Sequence, residues 1–198
     1  MSYTFIYNFI YIKNKINMAE VKRTYHDNGK LQTEVFVLNG KKNGEFKWYY
    51  ENEQLCNICN FINDTVHGEY KKYYPNGQLS ENFNYRDGKL HGDYRDYYDN
   101  GQLWIICVYN DGNRIGEYKS YHYDGQLDSM CTYIDGKKNG ECIVYHENGQ
   151  LNVICIYIDG KRNGEYKRYD LNGELVEQSI WNNGIKIERN LLPSILFF

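Results

Sequence analysis

Acidic residues recur along this chain at a fixed interval. Glu45, Glu69, Asp93, Glu117, Glu141 and Glu165 each follow a glycine and stand 24 residues apart. Paired carboxylates flanking a bond carry out glycoside hydrolysis, but on strands stacked two per repeat these would lie about 10 Å from one another, beyond that spacing. A base stands two residues after most of them: Lys47, Lys71, Arg95, Lys119 and Lys167. The pattern reads as solvated charge pairs, each worth little. Among the five histidines, His122 and His146 share one column of the repeat and His67 and His91 another. A metal needs three or four ligands converging on one ion, and column neighbours do not converge. No P-loop, dinucleotide-binding glycine pattern, GxSxG or HExxH occurs. The expectation is a chain that is not an enzyme, with no catalytic residue, no metal and no cofactor.

Six cysteines remain, at positions 56, 59, 107, 131, 142 and 155. Cys59, Cys107, Cys131 and Cys155 fall in one repeat column, so the expected role is a small buried apolar side chain, one per repeat. Column mates about 10 Å apart are too distant for disulfides. With no secretory signal in view, all six are expected to be free thiols of a cytoplasmic protein. Cys56 and Cys59 form a CxxC, but no second CxxC follows to complete a zinc site.

Composition narrows the classes further. The 198 residues are 41% hydrophobic and 25% charged, with net charge −3 and 22 tyrosines. Lys and Arg show neither surplus nor block. The tyrosine rows are interleaved with acids that repel phosphate, so no nucleic acid is expected as a partner. Residues 3–12, "YTFIYNFIYI", are too short to span a bilayer and lack a charged flank before them. Met18 opens a segment that leads straight into the first repeat, so residues 1–17 are read as an N-terminal extension outside the fold, 18–190 as the repeat array and 191–198, "LLPSILFF", as a hydrophobic tail or cap.

The elements that position these residues follow from the period. An Asn-Gly-Gln-Leu anchor, with one residue changed at 28, 52, 124 and 172 (Lys30, Glu53, Asp124 and Glu174), begins at residues 28, 52, 76, 100, 124, 148 and 172, always 24 residues on. A second anchor is the column Gly40, Gly88, Gly112, Gly136, Gly160 and Gly184, broken by Asp64. Two turn signals per period, separated by stretches rich in Tyr, Val, Ile, Phe and Cys, predict one β-hairpin per repeat. In the second repeat this places strands near 45–50 and 55–62, a turn at 51–54 and a six-residue loop after. The fold class is therefore all-β: an elongated antiparallel sheet of about seven stacked hairpins.

Even spacing puts the Leu31-to-Leu175 column, the cysteine column and the aromatic column after it on one face. The tyrosines at 25, 49, 73, 97, 121, 145 and 169 stand three residues after a second aromatic column (Phe46, Tyr70, Tyr94, Tyr118, Tyr166). Either a bulge reconciles the two or both faces carry tyrosine. Opposite the cysteines, later repeats present Ile106, Val108, Met130, Ile134, Ile154, Ile156 and Ile158, where earlier ones have Asn60, Asn82 and Asn84. These seven apolar residues are the candidate partner surface.

The unit "GKKNGEFKWYYENEQL…FIN" resembles the MORN repeat, most closely the shorter variant of YwqK-type proteins, often described as antitoxin components. The likeness covers residues 21–188. It implies a non-enzymatic scaffold that binds other proteins; its alternatives are a peripheral module contacting phospholipid and an antitoxin-like protein that binds a toxin. The charge balance argues for weak membrane contact at most. The chain is rich in Asn, Ile, Lys and Tyr, which fits an AT-rich genome, and arrays of this kind look like those of large DNA viruses and of some protists and bacteria; if viral, the cytoplasm would be that of a host.

Overall fold

The computed structural model describes residues 18–187; the segments 1–17 and 191–198 singled out above lie outside them. The described residues form strands and turns; within each unit the strands follow chain order and each pairs antiparallel with its neighbours. They divide into two compact units, the first ending at Gly101 and the second opening at Gln102.

The first unit holds β1 (Ala19–Tyr25), β2 (Leu31–Leu38), β3 (Lys41–Tyr49), β4 (Leu55–Ile62), β5 (Thr65–Tyr73), β6 (Leu79–Arg86) and β7 (Lys89–Tyr97). Two connections alternate. The longer one is built by the Asn-Gly-Gln-Leu anchor. Between β3 and β4, Tyr50 N–H donates to the Gln54 carbonyl, Glu53 N–H to the Tyr50 carbonyl and Gln54 N–H to Asn52 Oδ1. Glu53 takes a φ of 68° in the slot that glycine holds in other repeats. Such a turn closed by a left-handed residue is a common three-residue hairpin loop.

The shorter connection corrects the expected six-residue loop. β2 and β3 are joined by Asn39-Gly40 alone, and β4 and β5 by Asn63-Asp64, all with positive φ. Two successive left-handed residues make the tight turn whose twist suits a hairpin. Strands therefore begin near residue 41, not 45. Gly44, expected in the loop, lies inside β3 at a φ of 112°. There Val35 pairs with Phe46 and Val37 with Lys42, so three residues of β3 oppose Phe36 alone. That bulge is what the second glycine of each repeat supplies. A Cβ at Gly44 would meet Phe36 Cδ1 at 3.3 Å.

A second bulge overturns the assignment of the leucines. Tyr49 pairs with Leu55 but Trp48 pairs with Asn57, leaving Cys56 as an extra residue in β4. The side chain of Leu55 is thereby turned to the face of Tyr49 and Lys47, away from Cys59. The same shift occurs in β6, between Tyr73–Leu79 and Lys72–Glu81. The leucine column thus lies opposite the cysteine column. Both faces carry tyrosine: Phe46 and Tyr70 stand on the cysteine face, Tyr49 and Tyr73 on the leucine face.

The second unit repeats this plan through β8 (Leu103–Asn110), β9 (Asn113–Tyr121), β10 (Leu127–Ile134), β11 (Lys137–Tyr145), β12 (Leu151–Ile158), β13 (Lys161–Tyr169), β14 (Leu175–Asn182) and the short β15 (Ile185–Ile187). In both units burial concentrates on the cysteine face, which holds Val35, Val37, Cys59, Phe83, Cys107, Cys131, Cys142, Cys155 and Tyr166. Among the described residues no helix is long and apolar enough to cross a membrane.

Candidate interaction face

Cross-strand pairs share a face, so the register defines rows across the strands. On the leucine face of the first unit one row reads Lys47, Ile58, Lys71, Asn82 and Arg95. The acids two residues back answer the bases: Glu45 binds Lys47, Glu69 lies 2.8 Å from Lys71 and Asp93 3.0 Å from Arg95. The hydrogen bond that Lys71 donates to the Glu69 carboxylate raises its pKa, so the ammonium stays charged. The depression over Leu55, Ile58, Asn60, Lys71 and Tyr73 encloses about 270 Å³. Ordinary ligand pockets run to roughly 300–1,000 Å³, so this depression stands at the small end of that range.

The equivalent row in the second unit reads Ile106, Lys119, Met130, Ile143, Ile154, Lys167 and Gln178. Three consecutive strands, β10 to β12, present an apolar side chain to it. Ile143 is decisive, because it stands where other repeats have a lysine or arginine, and so Glu141 has no base two residues on. It was not among the seven residues singled out above; the broken lysine column is the signal that would have found it. Those seven do share one face. Ile106, Met130 and Ile154 lie on the row, Val108 pairs with Ile115, Ile156 with Glu141, Ile134 with Lys137 and Ile158 with Lys161. Ile106, Val108, Met130 and Ile154 are half-buried, whereas Ile134, Ile156 and Ile158 are 55%, 41% and 53% exposed. Their face is also that of Leu127 and Leu151, not the opposite one, because of the second bulge.

The other face carries aromatic and cationic groups. In the first unit Phe83 stacks between Tyr70 and Tyr94 at 4.8 and 5.4 Å, and Lys42 lies over Phe46 and Phe61. In the second, Arg114 sits over Tyr109, Tyr118 and Tyr133 and donates to Tyr109 Oη at 2.8 Å. Arg162 sits over Tyr166 and Trp181. These cations are engaged with rings of their own sheet. Burial pushes the Tyr70 hydroxyl and the Cys59 thiol up to about 12 and about 11, leaving both neutral.

The thiol expectation is corrected here. Cys131 and Cys142 form a disulfide, with Cα atoms 4.4 Å apart; Cys56, Cys59, Cys107 and Cys155 are free and buried. Cys131 and its column mate Cys155 stand two strands apart, but Cys142 belongs to the aromatic column, on the strand β11 that lies between them. The antiparallel register sets it directly opposite Cys131.

Two of the histidines, His26 and His146, serve the turns. His26 Nε2 lies 2.9 Å from the Tyr49 carbonyl and His146 Nε2 3.0 Å from that of Tyr169; a carbonyl only accepts, so the imidazole N–H donates. Tyr50 and Tyr74 occupy the same column and donate to the carbonyls of Tyr73 and Tyr97. Each hooks one turn onto the next repeat. Among the described residues no group of three or more His, Cys, Asp or Glu could hold a metal.

The family described as MORN repeat variant matches residues 21–39, 42–63, 66–87, 90–111, 114–135, 138–159 and 162–183. The chain belongs to the MORN repeat variant family. Its seven MORN repeats account for both connections, since each matched segment ends at or next to a two-residue turn. No curated protein matches it. Among solved structures it is similar to a GtfA/B complex bound to UDP and GlcNAc (15% identity, TM-score 0.25, 60% of this chain and 23% of that one). It is also similar to an S. aureus TarM mutant in complex with fondaparinux, α-GlcNAc-glycerol and UDP (8%, 0.27, 82% and 24%). A third is a protein of unknown function from Bacteroides fragilis (10%, 0.15, 87% and 98%). The MORN chain spans about a quarter of the first two.

Proposed function

We propose that this chain is a non-enzymatic scaffold that binds another protein through the leucine face of strands β10–β12. The observation that carries the reading is the uninterrupted row Met130–Ile143–Ile154, edged by the exposed Ile134, Ile156 and Ile158. Apolar patches rimmed by polar residues mark association sites, and desolvated side chains at their centre dominate the energy. The rim is supplied by Lys119, Lys167 and Glu141. A toxin bound by an antitoxin would be one instance of such a partner.

The test is comparative capture by the full chain. Ile154→Asp with Ile156→Lys is expected to abolish capture of a partner while leaving the melting temperature within a few degrees. Ile58→Asp, on the same face of the first unit, is expected to leave capture intact. Capture that survives the pair and fails with Ile58→Asp would sink the assignment. Binding to anionic phospholipid vesicles that is stronger than protein capture and lost with the pair would move it to a lipid surface.

A further inference from the structure

Cys142 has two cysteine neighbours, not one. Across β10, β11 and β12 the register pairs Cys131 with Cys142 and Cys142 with Cys155. All three are buried, in one cluster closed by Tyr166. Successive residues of an antiparallel ladder alternate between close and wide pairs, and a residue that is close to one neighbouring strand is wide to the other. The 4.4 Å separation of Cys131 and Cys142 marks the close pair. Cys142 and Cys155 then form the wide pair, at about 5.5 Å. Both distances fall in the window that a disulfide spans, about 4.4–6.8 Å, whereas Cys131 and Cys155, two strands apart, do not.

We propose that the Cys131–Cys142–Cys155 row is a disulfide-exchange site, in which Cys142 bonds to either neighbour and the remaining cysteine is held as a thiol. The Cys155 thiolate attacks Sγ of Cys142, from the side opposite Cys131. A Cys142–Cys155 bond forms as the Cys131–Cys142 bond breaks, and Cys131 leaves as a thiolate that takes up the proton Cys155 gave up. No net oxidation occurs and no co-reactant is consumed. The arrangement suits the step because attack on a disulfide proceeds along the sulfur–sulfur axis, and three paired residues on consecutive strands lie along one line. Burial pushes the Cys155 thiol up, so its thiolate is scarce near neutrality and exchange quickens as pH rises. The two bonds staple different hairpins: one holds the two-residue turn between β10 and β11, the other the longer turn between β11 and β12.

The experiment is disulfide mapping of the full chain. Samples held at pH 7 and at pH 9 are quenched with acid, alkylated and cut with trypsin and a glutamate-specific protease, which put the three cysteines on separate peptides. The expected result is both Cys131–Cys142 and Cys142–Cys155, with the second growing at pH 9 until the ratio is constant. Two variants sharpen it. Cys131→Ser treated with oxidised glutathione is expected to close Cys142–Cys155 with release of two glutathione thiols, and Cys142→Ser to close neither bond. Circular dichroism confirms that each variant is folded. Wild-type protein that holds only Cys131–Cys142 at every pH and time overturns the proposal. So does Cys131→Ser that stops at a glutathione adduct, or a Cys131–Cys155 bond in Cys142→Ser.

Discussion

Strands β5–β7 and β10–β12 share one backbone plan, with its two turns in opposite order, and differ in the side chains they present. On the cysteine face the first set stacks Tyr70, Phe83 and Tyr94, while the second places Cys131, Cys142 and Cys155 in line. On the leucine face the first set shows Lys71, Asn82 and Arg95, and the second Met130, Ile143 and Ile154. Register and turns are the same in kind. A repeat scaffold thus sets where side chains go, and single departures from its columns decide whether a stretch is a solvated surface or an adhesive one. Cys142 and Ile143, adjacent in sequence and on opposite faces, make both departures at once.

The largest way to break the comparison is to remove the stacked ring. Phe83→Ala deletes a buried side chain between two tyrosines and is expected to cost about 3–5 kcal/mol in a denaturant melt. Cutting the corresponding tie in the second set acts differently. Reduction of Cys131–Cys142, which closes a separation of 11 residues, is expected to cost about 3 kcal/mol. Hydrogen exchange should quicken in β10–β12 and stay unchanged in β5–β7; equal loss in both would show that the tie is not local. Third, Ile143→Lys restores the lysine column and should turn the second row toward the first. About a tenfold loss of partner capture, or roughly 1.4 kcal/mol, is expected with little change in melting.

The smallest effect belongs to Asp96, which pairs with Glu81 beside Lys72 on β5–β7. Burial, and then the Glu81 carboxylate, push its pKa up to about 6. A carboxyl whose folded pKa is raised binds its proton more tightly when folded. Its favourable contribution is therefore full below about pH 4, the unfolded value, and is lost as pH rises through about 6. Asp96→Asn should stabilise the protein by about 1 kcal/mol at pH 8, allowing for solvent screening, and leave it unchanged at pH 4. Equal effects at both pH values would contradict that assignment.

Much of this was legible in the residues. The 24-residue spacing of Asn52, Asn76 and Asn100 fixed the hairpin count, and strict alternation placed Ile154 and Ile156 on one face. The face of Leu55 was not legible, because a bulge at Cys56 leaves sequence spacing even while reversing direction. Gly44 read as loop because positive φ is shared by turns and bulges alike. The disulfide escaped because the period compares residues with their column mates, whereas a hairpin brings together residues from different columns, as it does Cys131 and Cys142.

Several hooks run from a turn to the repeat that follows: Tyr50 to the Tyr73 carbonyl, Asn52 to that of Pro75, His146 to that of Tyr169. Within each unit a strand pairs with the strand made just before it and the one made just after. At about 5–20 residues per second, a ribosome delivers one repeat in a few seconds at most, and hairpins close in microseconds. Each new hairpin can therefore settle on a finished neighbour before the next one emerges, so the growing chain exposes a single unpaired edge instead of a long unfolded stretch. By the same logic, duplication of one 24-residue segment would lengthen the array without disturbing any contact already made.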